Sequence, residues 1–263
     1  MLKKRLMGVV TVKNGWAVQS FGYQRYLPLG KPECLVENLN RWGADEILVQ
    51  VIDASAKQDG PDFQLLEKIS QLGLETPLVY AGGIRNLEDG IKVIQMGADR
   101  LVVDALLSRN LGEVEQISQR LGAQAVIAGL PLTWSGQDLL WFNYLEGSLQ
   151  PIPEKILNLM LSEIISEVFL CDYLHEGQER GFEMALVDHF PDRSVPLIAF
   201  GGLSEASQLQ QLLNRPQISA VAIGHFLTYR EHAFQTYKEA LLGMPIRPSK
   251  YETRFSLLSH VNT

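Results

Sequence analysis

The length, composition and charge of the chain exclude several broad classes of protein. It has 263 residues, 46% of them hydrophobic and 20% charged, which is typical of a globular protein that buries a large core. The net charge of −7 argues against a general nucleic-acid binder, because neutralising phosphates requires clustered Lys and Arg. The first apolar run stops at Lys13, too early for a signal peptide or a membrane span. We therefore expect a cytoplasmic protein with neither nucleic-acid nor membrane partners.

The chain contains two cysteines, Cys34 and Cys171, which are far apart in the sequence. Their separation matches no metal-ligand or redox spacing. We expect both side chains to be core residues. We expect no metal and no cofactor.

Short apolar runs predict strands, and segments of helical period predict the helices between them. In chain order, the predicted strands are Leu6–Val12, Ile47–Ile52, Pro77–Tyr80, Leu101–Val103, Ala125–Leu130, Val168–Cys171, Leu197–Phe200 and Ala220–Ile223. The predicted helices are Pro32–Trp42, Phe63–Leu72, Leu87–Met96, Leu111–Leu121, Pro153–Ile165, Ala206–Leu213 and Arg230–Leu241. Near-continuous apolar strands that alternate with helices indicate a parallel sheet covered by helices.

An internal repeat of about half the chain decides between an open sheet and a barrel. The segment Pro77–Ile84 is echoed by Pro196–Leu203, and each copy is followed by a helix and a buried strand, at Leu101–Asp104 and Ala220–Gly224. A doubled (βα)4 unit closes into a barrel, whereas an open sheet has no reason for this symmetry. The sequence therefore predicts an α/β fold, a single (β/α)8 TIM-type barrel domain over residues 1–263.

The segment Leu132–Pro151 is long and rich in aromatic residues, and it follows the fifth predicted strand. We interpret it as an elaborated loop. Two alternatives are open: a hydrophobic hairpin packed over the barrel mouth, or an aromatic platform for a ligand.

Two Gly-Gly turns follow strands at the end of the barrel where active sites lie. Glycines there let backbone N–H groups approach a phosphate, although a plain tight turn is the alternative. One candidate site combines the Gly82–Gly83 turn with Asp104, whose carboxylate would repel phosphate. We expect the other site to bind phosphate better. It is formed by Gly177, Gly201, Gly202 and Gly224.

Several motifs along nearly the whole chain resemble the cyclase subunit of imidazole glycerol phosphate synthase, a barrel family of histidine biosynthesis. These motifs are Met1–Arg5, Val12–Gly15, Gly43–Glu46, Ala54–Ser55, Ala81–Ile84, Gly97–Arg100, Gly122–Ala125 and Gly201–Gly202. The resemblance implies a partner glutaminase, docked on the amino-terminal face, whose ammonia crosses the barrel. In that family the ammonia then enters a lyase and ring-closing reaction on a bis-phosphorylated ribulosyl intermediate.

The resemblance also implies an acid–base pair of aspartates at the ends of the first and fifth strands. We assign those positions to Thr11 and Leu130, neither of which can replace an aspartate. A third aspartate is replaced by Val51. Asp53 and Asp172 are the candidate substitutes.

Four charged residues that precede strands match the family's ammonia gate: Arg5, Glu46, Arg100 and Glu167. We expect them to point inward at the amino-terminal end as a paired cluster, because unpaired buried charges are unfavourable. A purely structural plug is the alternative. Asp99 matches a residue that contacts the glutaminase, or is a solvated surface charge. The five histidines have no ligand spacing, and only His175 and His225 fall near catalytic-end loops.

Three functional hypotheses follow. The first is an ammonia-channelling subunit of a glutamine amidotransferase complex, a heterodimer with a glutaminase. It would serve a small phosphorylated or sugar acceptor on this or a third enzyme, and acetamidino-sugar formation for surface polysaccharide is one such reaction. The second is a genuine imidazole glycerol phosphate synthase cyclase, a lyase. The third is a non-catalytic activator of the glutaminase.

Overall fold

Eight parallel strands close into a barrel in the computed structural model, which describes residues 3–227 and 232–249. In chain order the strands are β1 (Arg5–Lys13), β2 (Trp16–Phe21), β3 (Arg25–Gly30), β4 (Glu46–Val51), β5 (Leu78–Ala81), β6 (Arg100–Val103), β7 (Val126–Trp134), β8 (Leu139–Asn143), β9 (Ser148–Gln150), β10 (Glu167–Asp172), β11 (Leu197–Phe200) and β12 (Ile218–Ile223). The barrel order is β1-β4-β5-β6-β7-β10-β11-β12, and β12 pairs with β1. The predicted (β/α)8 barrel and its eight strands are confirmed. That residues 1–263 form one domain stays a prediction, because its ends lie outside the described residues.

The helices cover the outside of the barrel. They are α1 (Pro32–Arg41), α2 (Ala54–Lys57), α3 (Phe63–Ser70), α4 (Leu87–Gln95), α5 (Ala105–Arg109), α6 (Leu111–Leu121), α7 (Glu154–Leu161), α8 (Ala185–Asp188), α9 (Ala206–Leu213) and α10 (Ala233–Ala240). All seven predicted helices are present, although the predicted start of α10, at Arg230, lies outside the described residues. Among those residues, no helix has the length and apolar character needed to cross a membrane.

The start of α3 shows how the sequence sets a helix boundary. Asp62 is its N-cap, and the carboxylate accepts a hydrogen bond of 2.9 Å from the N–H of Leu65. The face of α1 explains one wrong prediction. Val36 and Leu39 face the barrel, whereas Cys34 lies on the other face and is exposed. Cys171 is buried, as expected.

The barrel strands separate two layers of core. An inner cluster fills the barrel, and its members are Met7, Val9, Leu48, Val79, Ala81, Val102, Ile127, Phe169, Cys171, Ile198, Phe200, Ala220 and Ala222. The outer cluster lies between the strands and the helices and includes Val10, Val12, Ala128 and Leu130. Because successive side chains of a strand point to opposite faces, this division fixes which residues face the interior.

Two antiparallel additions lie at the carboxyl ends of barrel strands. The hairpin of β2 and β3 continues from β1, and the sequence analysis did not predict it. The strands β8 and β9 extend β7, so Leu132–Pro151 forms a hairpin rather than an irregular loop. Both additions project over the catalytic end and build the walls of the site described next.

Candidate functional site

A closed ring of ion pairs occupies the amino-terminal floor of the barrel. Arg5 lies 2.9 Å from Glu46 and 2.8 Å from Glu167, and Arg100 lies 3.2 Å from Glu46 and 2.6 Å from Glu167. Each arginine therefore contacts both glutamates, and each glutamate contacts both arginines. The predicted inward, mutually paired arrangement is what the structure shows, while its role as a gate stays a prediction.

We call Arg5, Glu46, Arg100 and Glu167 the floor ring. Two serines form further hydrogen bonds with it. Ser166 accepts a hydrogen bond of 2.9 Å from Arg100, and Ser219 donates one to Glu167. Burial alone would raise the pKa of Glu167, but Arg100 and Arg5 hold it below its ordinary value. The atoms Arg5 Nε and Glu46 Oε2 form an ion pair without hydrogen-bond geometry, so the attraction between these two side chains is mainly electrostatic. The ring is thus stabilised as charged at neutral pH.

A cavity of about 350 Å³ opens at the other end, where the hairpins converge. Its wall is dominated by six aromatic side chains: Tyr23, Tyr26, Phe142, Tyr144, Phe169 and Tyr173. The rings of Phe142 and Tyr173 stack with centroids 4.5 Å apart. Asp104 is the one carboxylate among the described residues that line it, and none of those residues is Lys, Arg or His. Phe142 and Tyr144 belong to the Leu132–Pro151 segment, so that segment is a hairpin that lines the cavity, and its role as an aromatic platform for a ligand stays a prediction.

The first candidate phosphate site is occupied by the chain itself. The Asp104 carboxylate accepts hydrogen bonds of 2.6 Å from the Tyr144 hydroxyl, 2.6 Å from the N–H of Ala105 and 3.2 Å from Ser55. The Ser55 hydroxyl in turn accepts the N–H of Gly83 at 3.0 Å. Gly82 is tightly enclosed, because a Cβ there would lie 2.1 Å from a backbone oxygen. The N–H of Gly83 is thus already engaged by a side chain of the protein.

The second candidate phosphate site is a narrow cleft of about 10 Å³, room for about one water molecule. Gly177, Gly201, Gly202 and Gly224 all line it, so the structure brings the four predicted residues together. The cleft also contains Glu176, a carboxylate that the sequence analysis missed. Burial raises the pKa of Glu176, and Ser20 donates a 2.8 Å hydrogen bond to it. A phosphate could enter only after this cleft widened.

The strand registers correct one of the two assigned acid–base positions. Thr11 alternates with Val10 and Val12 of the outer cluster, so its side chain faces the interior. Leu130 is itself in the outer cluster and fully buried, so its side chain points away from the cavity. Pro131, opposite Cys171 in the register, takes the interior position on β7. Proline cannot transfer a proton either.

The two candidate substitutes do not reach the cavity. Asp53 forms a 2.6 Å ion pair with Lys57 and is absent from the cavity wall. Asp172 points outward from β10, where it pairs with His175 at 2.8 Å and accepts the N–H of Glu183. Burial raises the pKa of Asp172 despite these bonds. Neither carboxylate can therefore act on a ligand in the cavity without a rearrangement.

The remaining predicted residues lie as follows. Asp99 is exposed on the floor side, and its carboxylate accepts the N–H of Leu78 at 2.8 Å, so a partner contact stays a prediction. His225 lines the narrow cleft, and burial lowers its pKa to about 4. His189 stacks on Trp134 with centroids 4.3 Å apart. Among the residues that the structure describes, no group of three or more His, Cys, Asp or Glu is placed to hold a metal.

Comparison with known proteins agrees with this geometry. The sequence profile of the family described as "Histidine biosynthesis protein" matches residues 5–233. The chain belongs to this family. It is 27% identical over 249 residues to imidazole glycerol phosphate synthase subunit HisF of Exiguobacterium sibiricum, a match that covers 91% of this chain and 98% of that protein.

Other similar members of the histidine biosynthesis family carry provisional names. A protein of Leptospira interrogans, provisionally named imidazole glycerol phosphate synthase subunit HisF, is 26% identical over 256 residues, covering 95% of this chain and 98% of that protein. A Pseudomonas aeruginosa protein with the same provisional name but the designation hisF2 is 24% identical over 233 residues, covering 87% and 92%. The chain is therefore a divergent relative of this synthase subunit.

Proposed function

We propose that this barrel conducts ammonia from a glutaminase docked at its amino-terminal face and has lost the cyclase reaction. The single observation that carries the proposal is the floor ring, because Arg5, Glu46, Arg100 and Glu167 match the family's gate and close on one another. Asp99, exposed beside Arg100, fits a glutaminase contact at the same face.

The barrel interior above the ring suits a neutral molecule. Met7, Leu48, Val102 and Phe169 belong to its apolar inner cluster. Transfer of an unpaired ion into such surroundings is strongly unfavourable, whereas neutral ammonia loses much less on leaving water. An ammonia molecule released below the floor would need one arginine side chain to swing aside, since the ring is closed. The ring thus fits a gate that opens when a partner docks.

The mouth supports the loss of the cyclase reaction. Thr11 and Pro131 face the interior at the ends of β1 and β7, and neither can act as the acid or base that the cyclase reaction needs. The bis-phosphorylated substrate also requires two anion sites. At one of them Ser55 accepts the N–H of Gly83 and donates to the Asp104 carboxylate beside it, and the other is a cleft too narrow for phosphate.

The ammonia acceptor follows only from the family resemblance. An acetamido sugar on a separate synthetase, converted to an acetamidino sugar for surface polysaccharide, is the acceptor we propose. A genuine cyclase of histidine biosynthesis is the second candidate, and the names of the relatives favour it. A non-catalytic activator is the third.

Two assays on the purified barrel and its cognate glutaminase separate these functions. We expect the barrel to stimulate glutamine hydrolysis and to show no ammonia-dependent turnover of the ribulosyl intermediate. Substantial turnover would support the cyclase hypothesis, and the absence of a glutaminase response would contradict the ammonia proposal.

A labelling experiment separates a conduit from an activator. Amide-15N glutamine is supplied to a native-host lysate with excess unlabelled ammonium. Label retained in a nitrogen-containing product indicates a conduit, whereas label diluted to the bulk ratio indicates activation alone.

A further inference from the structure

We call the cavity of about 350 Å³ at the carboxyl ends of the barrel strands the mouth cavity. The ammonia proposal does not explain which residues line it. A phosphorylated ligand needs cationic side chains or free N–H groups, and the described residues of the cavity wall include no Lys, Arg or His. The one charged residue in that wall is Asp104, which is negative. A volume of about 350 Å³ lies within the range of small-molecule sites.

The carboxylate of Asp104 is fixed in place and retains capacity for a ligand. Tyr144, Ala105 and Ser55 donate to it, with the Ser55 hydroxyl 3.2 and 3.4 Å from its two oxygens. The carboxylate nevertheless lines the cavity and is only half-buried, so a donor there can share one of its oxygens. The hydroxyl of Tyr144 comes from the hairpin over the mouth, so this bond also ties the hairpin to the end of β6.

The aromatic side chains complete a site for a flat cation. The stacked rings of Phe142 and Tyr173 stand in the same wall as Asp104. Aromatic faces attract cations electrostatically, and aromatic cages with a carboxylate recognise organic ammonium groups. The protein already shows this contact, because Lys13 Nζ lies 3.5 Å from the ring centroid of Tyr26.

We propose that the mouth cavity binds a small, flat organic cation of the amidinium or ring-amine class. Its charged group donates to Asp104, and its face lies on the aromatic wall of Phe142 and Tyr173. Asp104 also acts as the specificity-determining residue that keeps phosphate out of the Gly82–Gly83 turn, because its carboxylate repels an anion there. The inference does not depend on the proposed function, in which the acetamido sugar is bound by a separate synthetase.

The probe is benzamidine, a flat aromatic amidinium, titrated calorimetrically into the purified barrel without glutamine or glutaminase. We expect benzamidine to bind and inorganic phosphate not to displace it. The variant Asp104→Asn should weaken benzamidine binding by about tenfold to a hundredfold, the range for a lost charge-assisted hydrogen bond. The matched control is Asp138→Asn, which removes an exposed carboxylate from the turn between β7 and β8 and should change nothing.

A second variant keeps the test decisive if Asp104→Asn does not fold. Tyr144→Phe removes a hydroxyl that donates to Asp104 and frees an acceptor position on its carboxylate, so benzamidine should bind a few-fold more tightly. Absence of benzamidine binding, displacement by phosphate, or unchanged affinity in both Asp104→Asn and Tyr144→Phe would overturn the inference. Any of these results leaves the glutaminase assays unaffected, so failure here is distinguishable from failure of the ammonia proposal.

Discussion

Replacing Arg100 by methionine tests whether the floor ring is a coupled network. The side chain is 15% exposed and contacts Glu46 and Glu167, which are 6% and 7% exposed. Removing one partner of a buried ion pair costs about 3 to 5 kcal/mol, because a charge is left uncompensated. Arg5 still contacts both glutamates in the variant, so we expect a smaller loss of about 2 to 4 kcal/mol in the free energy of unfolding.

Urea unfolding followed by circular dichroism measures this loss, with Arg180→Met as the matched control. Arg180 pairs with Glu205 at 3.2 Å, and the two side chains are 72% and 46% exposed, so its removal should cost about 0.5 kcal/mol or less. The pKa of Glu167 is lowered in the folded state, so the ring contributes stability above its ordinary pKa and loses it as pH falls through the lowered value. The difference between wild type and Arg100→Met should therefore shrink in acid. Equal losses in the two variants would refute the reasoning.

Removing all four charges of the floor ring separates a gate from a plug. The variant Arg5→Met, Glu46→Leu, Arg100→Met, Glu167→Leu leaves no unpaired charge, and such apolar replacements of buried ion pairs are often neutral or stabilising. We expect the free energy of unfolding to be retained or raised while stimulation of the glutaminase is lost. If the quadruple variant kept full stimulation, the ring would be a structural plug and the gate would be wrong.

Three further predictions concern the mouth. Sulfate soaked into crystals should favour the cleft of Gly201, Gly202 and Gly224 over the Gly82–Gly83 turn, where Asp104 repels an anion, and equal electron density at both would contradict this. The double variant Thr11→Asp, Pro131→Asp should not restore cyclase turnover, measured with ammonia and the ribulosyl intermediate, because Asp104 still repels phosphate from one anion site. Glu176→Gln should flatten the pH dependence of stability: burial raises the pKa of Glu176, so wild type loses stability as pH rises through that value. Urea unfolding from pH 4 to 7 measures the difference, and parallel curves for the two proteins would count against it.

The barrel could be predicted because the internal repeat and the strand pattern both indicate it. Which side chains of each strand face the barrel interior could not be predicted. The strand β7 reads Val126-Ile-Ala-Gly-Leu130-Pro131, apolar on both sides, because helices cover one face and the inner cluster the other. Such a strand has no alternation of apolar and polar residues to show which side chains face the interior. An error of one residue then moves every side chain to the opposite face. For this reason the strand pattern alone does not distinguish Leu130 from Pro131 as the interior position.

The missed antiparallel pairing of β2 with β1 did have a signal. Asn14 and Gly15 join β1 to β2 with φ values of 49° and 75°, both in the left-handed region that an Asn-Gly hairpin turn requires. The strand β3 gives little alternation of apolar and polar residues, because none of its side chains is buried. The contact of Tyr144 with Asp104 had no signal at all, since it joins residues 40 apart through the packing of a hairpin.

The two ends of the barrel obey different constraints, which explains how one could change without the other. Each member of the floor ring occupies an inward position at the start of a different barrel strand, and every one contacts two others. Loss of one charge leaves the others incompletely compensated, so a single change in the ring costs stability. The mouth is built from loops and hairpins that the barrel tolerates in many forms. Asp104 and Tyr144 could therefore replace a phosphate site while the floor kept its charges.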